Sequence, residues 1–275
     1  MNGELEMKLS IIKYQNSWRV LTLLFFMSLI GSIHAQPLDK NCAMVLMHGK
    51  WGNPRSMMFV GKRYEEHCAT KSIEMPWSQR RNYDQPYEVA LNEIEKQVKE
   101  FRTEGYKKIF LVGHSFGANA GFAYAASIRD KVDGIVALAP GHSPSSMYLN
   151  ELSKQVDQSA ELIKSGLKDE MISFVDMNQG VNRGVRMTAE VAFSYFDPNG
   201  LGNMSLSASR YRSSIPTIIV VGNADPGFPY YRRFIFEKLA DNTLNVYLEI
   251  TASHGNTPEL SVNQVLEWVK RLLLT

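Results

Sequence analysis

Ser115 sits in the run Gly113-His114-Ser115-Phe116-Gly117. A serine hydroxyl is a weak nucleophile until a neighbouring base takes its proton. It must also stand clear of the backbone around it. Lys108–Val112 reads as a buried strand, and an Ala-rich helical stretch begins at Ala118. A sharp turn between strand and helix would lift the hydroxyl out of the sheet edge. Gly113 and Gly117 supply the space that such a turn needs. The following helix would aim its first N–H groups and its dipole at the same point. The backbone N–H of Phe116 is then one candidate oxyanion donor. Three fixed positions in five recur by chance, so the strand before and the helix after carry the weight.

A base needs a carboxylate that fixes its tautomer. Two more strand ends offer these groups. Thr217–Val221 runs into Gly222-Asn223-Ala224-Asp225-Pro226, and Asn245–Ile250 runs into Thr251-Ala252-Ser253-His254-Gly255. Asp225 and His254 therefore fall at strand C-termini, where ligand and catalytic groups gather in α/β sheets. Glu249 is the runner-up acid, but it lies inside a strand and close to His254 in sequence. Met47-His48-Gly49-Lys50-Trp51-Gly52 follows another strand. Its Gly-rich turn could face backbone N–H groups toward Ser115, with the Lys50 N–H as the second candidate oxyanion donor. His114 is expected to pack beneath the turn, and His142 to be structural. Trp51 and Trp77, with Phe116 and Tyr83, are candidates to line an apolar pocket. Arg80 and Arg81 read as a solvated loop.

These groups need a sheet to position them. The strand candidates are Ala43–Met47, Lys71–Met75, Lys108–Val112, Gly134–Ala139, Thr217–Val221 and Asn245–Ile250. Most are continuous apolar runs, as in parallel strands buried on both faces. Helical spacing follows from Tyr87 to Phe101 and from Leu260 to Leu274. Alternating strands and helices predict an α/β fold: a mostly parallel central sheet with helices on both faces. Residues 141–213 interrupt the alternation and show no convincing strand. Asn150–Ile163 looks helical within them. An insertion of this length exceeds a simple connection and is read as a largely helical cap.

The N-terminus carries Lys8, Lys13 and Arg19 before the apolar run Val20–Ile33, and Ala35 precedes Gln36-Pro37. That is the pattern of a secretory signal peptide spanning 1–35, with 36–275 as the mature domain. The alternative is an uncleaved membrane anchor, but the fourteen-residue run falls short of the roughly 20 needed to span a bilayer; with the signal cleaved, no stable membrane span is expected. An exported protein, periplasmic or extracellular, could bridge its two cysteines, Cys42 and Cys68. Two cysteines cannot build a structural zinc site, and no metal spacing is present. The formal charge of +2 on 275 residues gives no basic patch for nucleic acid.

His48-Gly49, Gly113-His114-Ser115-Phe116-Gly117, Gly222-Asn223-Ala224-Asp225 and Ser253-His254-Gly255 together resemble an α/β-hydrolase superfamily enzyme, of the esterase and lipase kind. The resemblance runs from about residue 42 to the end, the insertion excepted. It implies that Ser115 attacks an acyl carbonyl, His254 serves as base and Asp225 orients it. It implies a small-molecule acyl substrate and neither cofactor nor metal. Carboxylic-ester hydrolysis leads. Amide, peptide and thioester hydrolysis use the same triad, and a non-catalytic small-molecule receptor on this fold is the alternative from another class.

Overall fold

The two faces of the first strand set the architecture. A computed structural model describes residues 40–127, 129, 131–143, 152–210 and 215–275. The expected signal segment lies outside the described residues, as do 144–151 and 211–214 of the insertion. Strand β1 (Cys42–Met47) is fully buried. Ala43, Val45 and Met47 enter one hydrophobic cluster, and Cys42, Met44 and Leu46 enter another. Both faces are thus covered, which is why the strand reads as one apolar run.

Six parallel strands form the sheet in the order β2-β1-β3-β4-β7-β8. They are β2 (Ala69–Ile73), β3 (Lys108–His114), β4 (Gly134–Leu138), β7 (Thr217–Gly222) and β8 (Val246–Ile250) around β1. Helices α2 (Tyr87–Thr103) and α3 (Phe116–Ala126) cover the first cluster. Helices α1 (Arg55–Tyr64) and α9 (Val262–Leu273) cover the second. The C-terminal pattern read as one helix is divided at Ser261, with a short α8 (Thr257–Leu260) ahead of α9. Strand β2 ends earlier than its apolar pattern suggests. The Met75 N–H leaves the ladder and donates to His48 Nε2 at 3.1 Å.

The chain goes from β1 outward to β2, then returns past β1 to β3. The order therefore reverses between β1 and β3, and a crevice at the strand C-termini belongs there.

The insertion corrects one expectation. Besides α4 (Ser153–Lys164), α5 (Ala189–Phe196) and α6 (Met204–Ser209), it holds an antiparallel hairpin. Its strands are β5 (Met171–Asn178) and β6 (Val181–Thr188). The turn residues Gln179 and Gly180 both have positive φ, 49° and 79°, as tight two-residue hairpins require. Ile172, Phe174, Val185 and Met187 are buried in the first cluster with Phe116. The strand pattern was hard to read because Met171, Val175 and Val181 face outward and stay exposed. Alternation was blurred by apolar residues on the wet face.

Cys42 and Cys68 are bridged, with Cα atoms 4.8 Å apart across 26 residues of sequence. The bridge ties the start of β1 to the residue before β2, around α1. Closing a loop of that length stabilises by about 3–4 kcal/mol in the chain-entropy account. Replacing both cysteines by alanine should lower the melting temperature by roughly 7–14 °C, read by scanning calorimetry; an unchanged transition would remove the bridge from the stability account.

Candidate active site

Ser115 stands between β3 and α3 with φ 54° and ψ −115°, a region non-glycine residues rarely enter. Close backbone approach explains the flanking glycines. A Cβ at Gly113 would lie 2.2 Å from the Gly117 carbonyl, and one at Gly117 would lie 2.2 Å from Met47 O. The turn is pressed between its own helix and β1. Phe116 opens α3, so its N–H is among the helix donors with no partner inside the helix.

Loops after β7 and β8 are stitched together. Asn223 N donates to Ile250 O at 2.9 Å, and Ala224 N to Ala252 O at 3.0 Å. A Cβ at Gly222 would stand 2.2 Å from Ala252 O. This brings Asp225 and His254 together, both buried. His254 Nδ1 lies 2.7 Å from Asp225 Oδ2. Asp225 Oδ1 accepts from Gly227 N at 2.8 Å and Tyr231 Oη at 2.9 Å. Burial alone pushes the Asp225 carboxyl up; the bonds from His254, Gly227 and Tyr231 outweigh it and hold the carboxyl below its ordinary range. An ionised Asp225 accepts, so a proton sits on His254 Nδ1, and in the neutral ring that tautomer leaves the lone pair on Nε2. Nε2 has no hydrogen-bond partner among the described residues. The residues His254 and Ser115 line one cavity, of about 270 Å³.

His48-Gly49 lies against the serine: a Cβ at Gly49 would be 3.0 Å from Ser115 Cβ. His48 fixes the bend. Its Nδ1 donates to Gly49 O at 2.8 Å while Nε2 accepts from Met75 N. Burial pushes its pKa down, consistent with a neutral ring. His114 Nε2 donates to His254 O at 3.0 Å. Burial, then the nearby His254, push His114 down to about 4, so it braces the base loop as a neutral group.

A sequence comparison joins this geometry. A family described by the alpha/beta hydrolase fold matches residues 75–165. The chain has the α/β-hydrolase fold. No curated protein matches it by sequence. Among solved structures, this chain is similar to a monoacylglycerol lipase from Paleococcus ferrophilus. That match has 21% identity, covers 84% of this chain and 93% of the other, and has a TM-score of 0.59. Est1E from Butyrivibrio proteoclasticus, solved with ferulic acid bound, gives 17% identity, 88% and 93% coverage, and a TM-score of 0.60. The α/β hydrolase GrgF from Penicillium sp. sh18 gives 17%, 87% and 93%, and 0.61.

Of the four aromatics expected to form a pocket, Phe116 lines the cavity at Ser115, and Trp51, Trp77 and Tyr83 are not among its described lining residues. Trp77 is fully buried. It stacks on Phe116 at 4.5 Å and donates from Nε1 to His48 O. Trp51 donates from Nε1 to Asp176 Oδ2 at 2.9 Å. Neither lines the cavity at Ser115; both rings are used in packing. Glu249 is exposed and lies 3.6 Å from Arg232. Arg80 pairs with Glu74, and Arg81 with Glu93 and Asp84.

Asp176, on β5, was missed by the sequence reading. It is fully buried and accepts four hydrogen bonds. Lys50 Nζ at 2.6 Å and its neighbour Met177 N at 2.8 Å reach Oδ1. Trp51 Nε1 at 2.9 Å and Tyr83 Oη at 2.6 Å reach Oδ2. Lys50 also donates to Met177 O and lies 5.6 Å and 5.3 Å from the Phe116 and Phe196 ring centres. Burial pushes its ammonium pKa down, against the pull of Asp176. The end of β5 (Met177, Asn178) and the turn residues Gln179 and Gly180 line the 270 Å³ cavity. The one clue in sequence was the Ile172, Phe174, Asp176 period of two, which puts a carboxylate on the buried face.

Removing one partner of a buried pair strands the other charge. Asp176→Ala should cost about 3–5 kcal/mol in urea denaturation, and adding Lys50→Met should restore part of it. Equal losses in the single and double variants would mean the pair is not the cause.

Proposed function

We propose that the chain is a serine hydrolase that cleaves a carboxylic ester through an acyl-enzyme. The observation that supports this most is the fixed His254 tautomer, with Nδ1 held by Asp225 and Nε2 left as base in the cavity that Ser115 also lines. In this reading His254 Nε2 takes the Ser115 proton as Oγ attacks the ester carbonyl. The tetrahedral oxyanion meets the backbone N–H groups of Phe116 and Lys50. Collapse expels the alcohol, which takes the proton from His254. Water then attacks the acyl-enzyme with His254 as base and frees the acid. Asp225 stays ionised throughout and stabilises the imidazolium. The strained φ of Ser115 accords with a nucleophile displayed on a tight turn. The neighbouring structures named as a monoacylglycerol lipase and as Est1E with ferulic acid bound support an ester as the substrate.

The 141–213 segment acts as a cap in this reading, with the β5–β6 turn forming its roof over the serine. We also propose that residues 1–35 are a signal peptide and that the chain works outside the cytoplasm. A bridged Cys42–Cys68 pair supports this, because disulfides persist in oxidising compartments.

Ser115→Ala should lower turnover of a chromogenic acetate ester by at least about 10⁴-fold while leaving the melting curve in place. Asp225→Asn should lower kcat by about 10³–10⁴-fold through the wrong His254 tautomer. A fluorophosphonate probe should label the native chain and not Ser115→Ala; ester turnover that survives Ser115→Ala would end the assignment. Export from a bacterial host should yield a chain that begins at Gln36, and a chain retaining Met1 or Met7 would end the cleaved-signal reading.

A further inference from the structure

A second cavity, of about 930 Å³, adjoins the first. It lies between α6 of the insertion and helix α7 (Phe228–Phe234). Met204 and Leu206 line one side, and Tyr231, Phe234 and Ile235 the other. The two cavities share Gly141, His142, Ser143, Gly227 and Tyr231. The shared residues come close to Ser115 and are tightly packed. A Cβ at Gly141 would stand 2.8 Å from Ser115 Oγ, and one at Gly227 would stand 2.2 Å from Tyr231 Oη. A side chain at either position would intrude on the junction.

The outer rim is apolar too. Tyr230 and Phe234 line this cavity while 59% and 47% exposed, with ring centres 6.1 Å apart. Scattered exposed apolar residues are ordinary. Two aromatic rings together at the mouth of an apolar cavity mark a place where something docks. Lys238 is the only charged side chain among the described lining residues, and no acid lines the space.

Size divides the labour. Ligand sites commonly run from about 300 to 1,000 Å³. The 270 Å³ space above Ser115 suits an ester group and a short flank. The 930 Å³ space suits the body of a ligand. We propose that the side cavity binds the larger, apolar part of the ester, an alkyl or aryl tail that is neutral or anionic at its far end. The proposal rests on the serine-hydrolase reading for the chemistry at Ser115. Lys238 disfavours a cationic tail end.

The test compares native chain with Leu206→Trp, which fills the cavity, on 4-nitrophenyl acetate, butyrate, hexanoate and octanoate. Native kcat/KM should rise by about two- to fourfold per added methylene. Leu206→Trp should lose at least about tenfold on octanoate and stay within about twofold on acetate. Methyl octanoate against octyl acetate then tells whether the tail belongs to the acid or the alcohol; a preference for either over ethyl acetate supports the proposal. A flat native profile together with indifference to both long esters overturns it, as does equal loss on all esters in the variant. Calorimetry separates the two readings. Octanoate and 1-octanol should bind Ser115→Ala, and the added Leu206→Trp should abolish this binding even if no ester is ever cleaved. No binding of either probe to Ser115→Ala overturns the cavity assignment, whatever becomes of the serine.

Discussion

A serine at φ 54° and ψ −115° does not hold itself in place. Its conformation costs on the order of 1–3 kcal/mol and persists only where the surroundings over-determine it. Here they do. Gly117 lies under Met47 O, Gly113 lies under Gly117, and Ser115 N is bound to Leu138 O at 3.0 Å. The register of β1, β3 and β4 is therefore also the register of Ser115. Any slip of the sheet would release the strain and drop the hydroxyl back among the backbone.

Three chain segments reach this point from one side of the sheet. The loop after β1 presses Gly49 on the serine, while those after β7 and β8 bring Asp225 and His254. The bonds that align them are mostly backbone to backbone, so the alignment depends on the strands and tolerates wide change in outward side chains. The insertion is fastened differently. Asp176, its one buried carboxylate among the described residues, gathers donors from the loop after β1, from Tyr83 and from its own strand. The hairpin beside the cavity is thus anchored by polar contacts inside an apolar cluster, where each bond is strong and each orphan costly.

The sheet was legible because its strands are buried on both faces, and the expected starts of β1, β3, β4 and β7 fall within a residue of the observed ones. Ser115, Asp225 and His254 were legible because each follows such a strand closely. The end of β2 was not, since Met75 gives its N–H to His48 and no local pattern encodes a partner 27 residues away. The hairpin was hidden by Met171, Val175 and Val181, apolar residues left on the solvent side. Trp51 and Trp77 looked like pocket residues because of their place after strands. Their indole N–H groups instead find Asp176 and His48 O, contacts made only in three dimensions. Tyr231 was missed for a similar reason: six residues past Asp225, it turns back on one helical turn to meet it.

Tyr231 has two duties at once. Its phenol donates to Asp225, and its ring forms wall in both cavities. A group that filled the side cavity would press on the same side chain that donates to Asp225 Oδ1. Space in the cavity and the order of Asp225 are then not separate properties. If the cavity takes a guest and Asp225 orients His254 as proposed, the guest's shape acts on both through one phenol, and discrimination would show in turnover as well as in affinity.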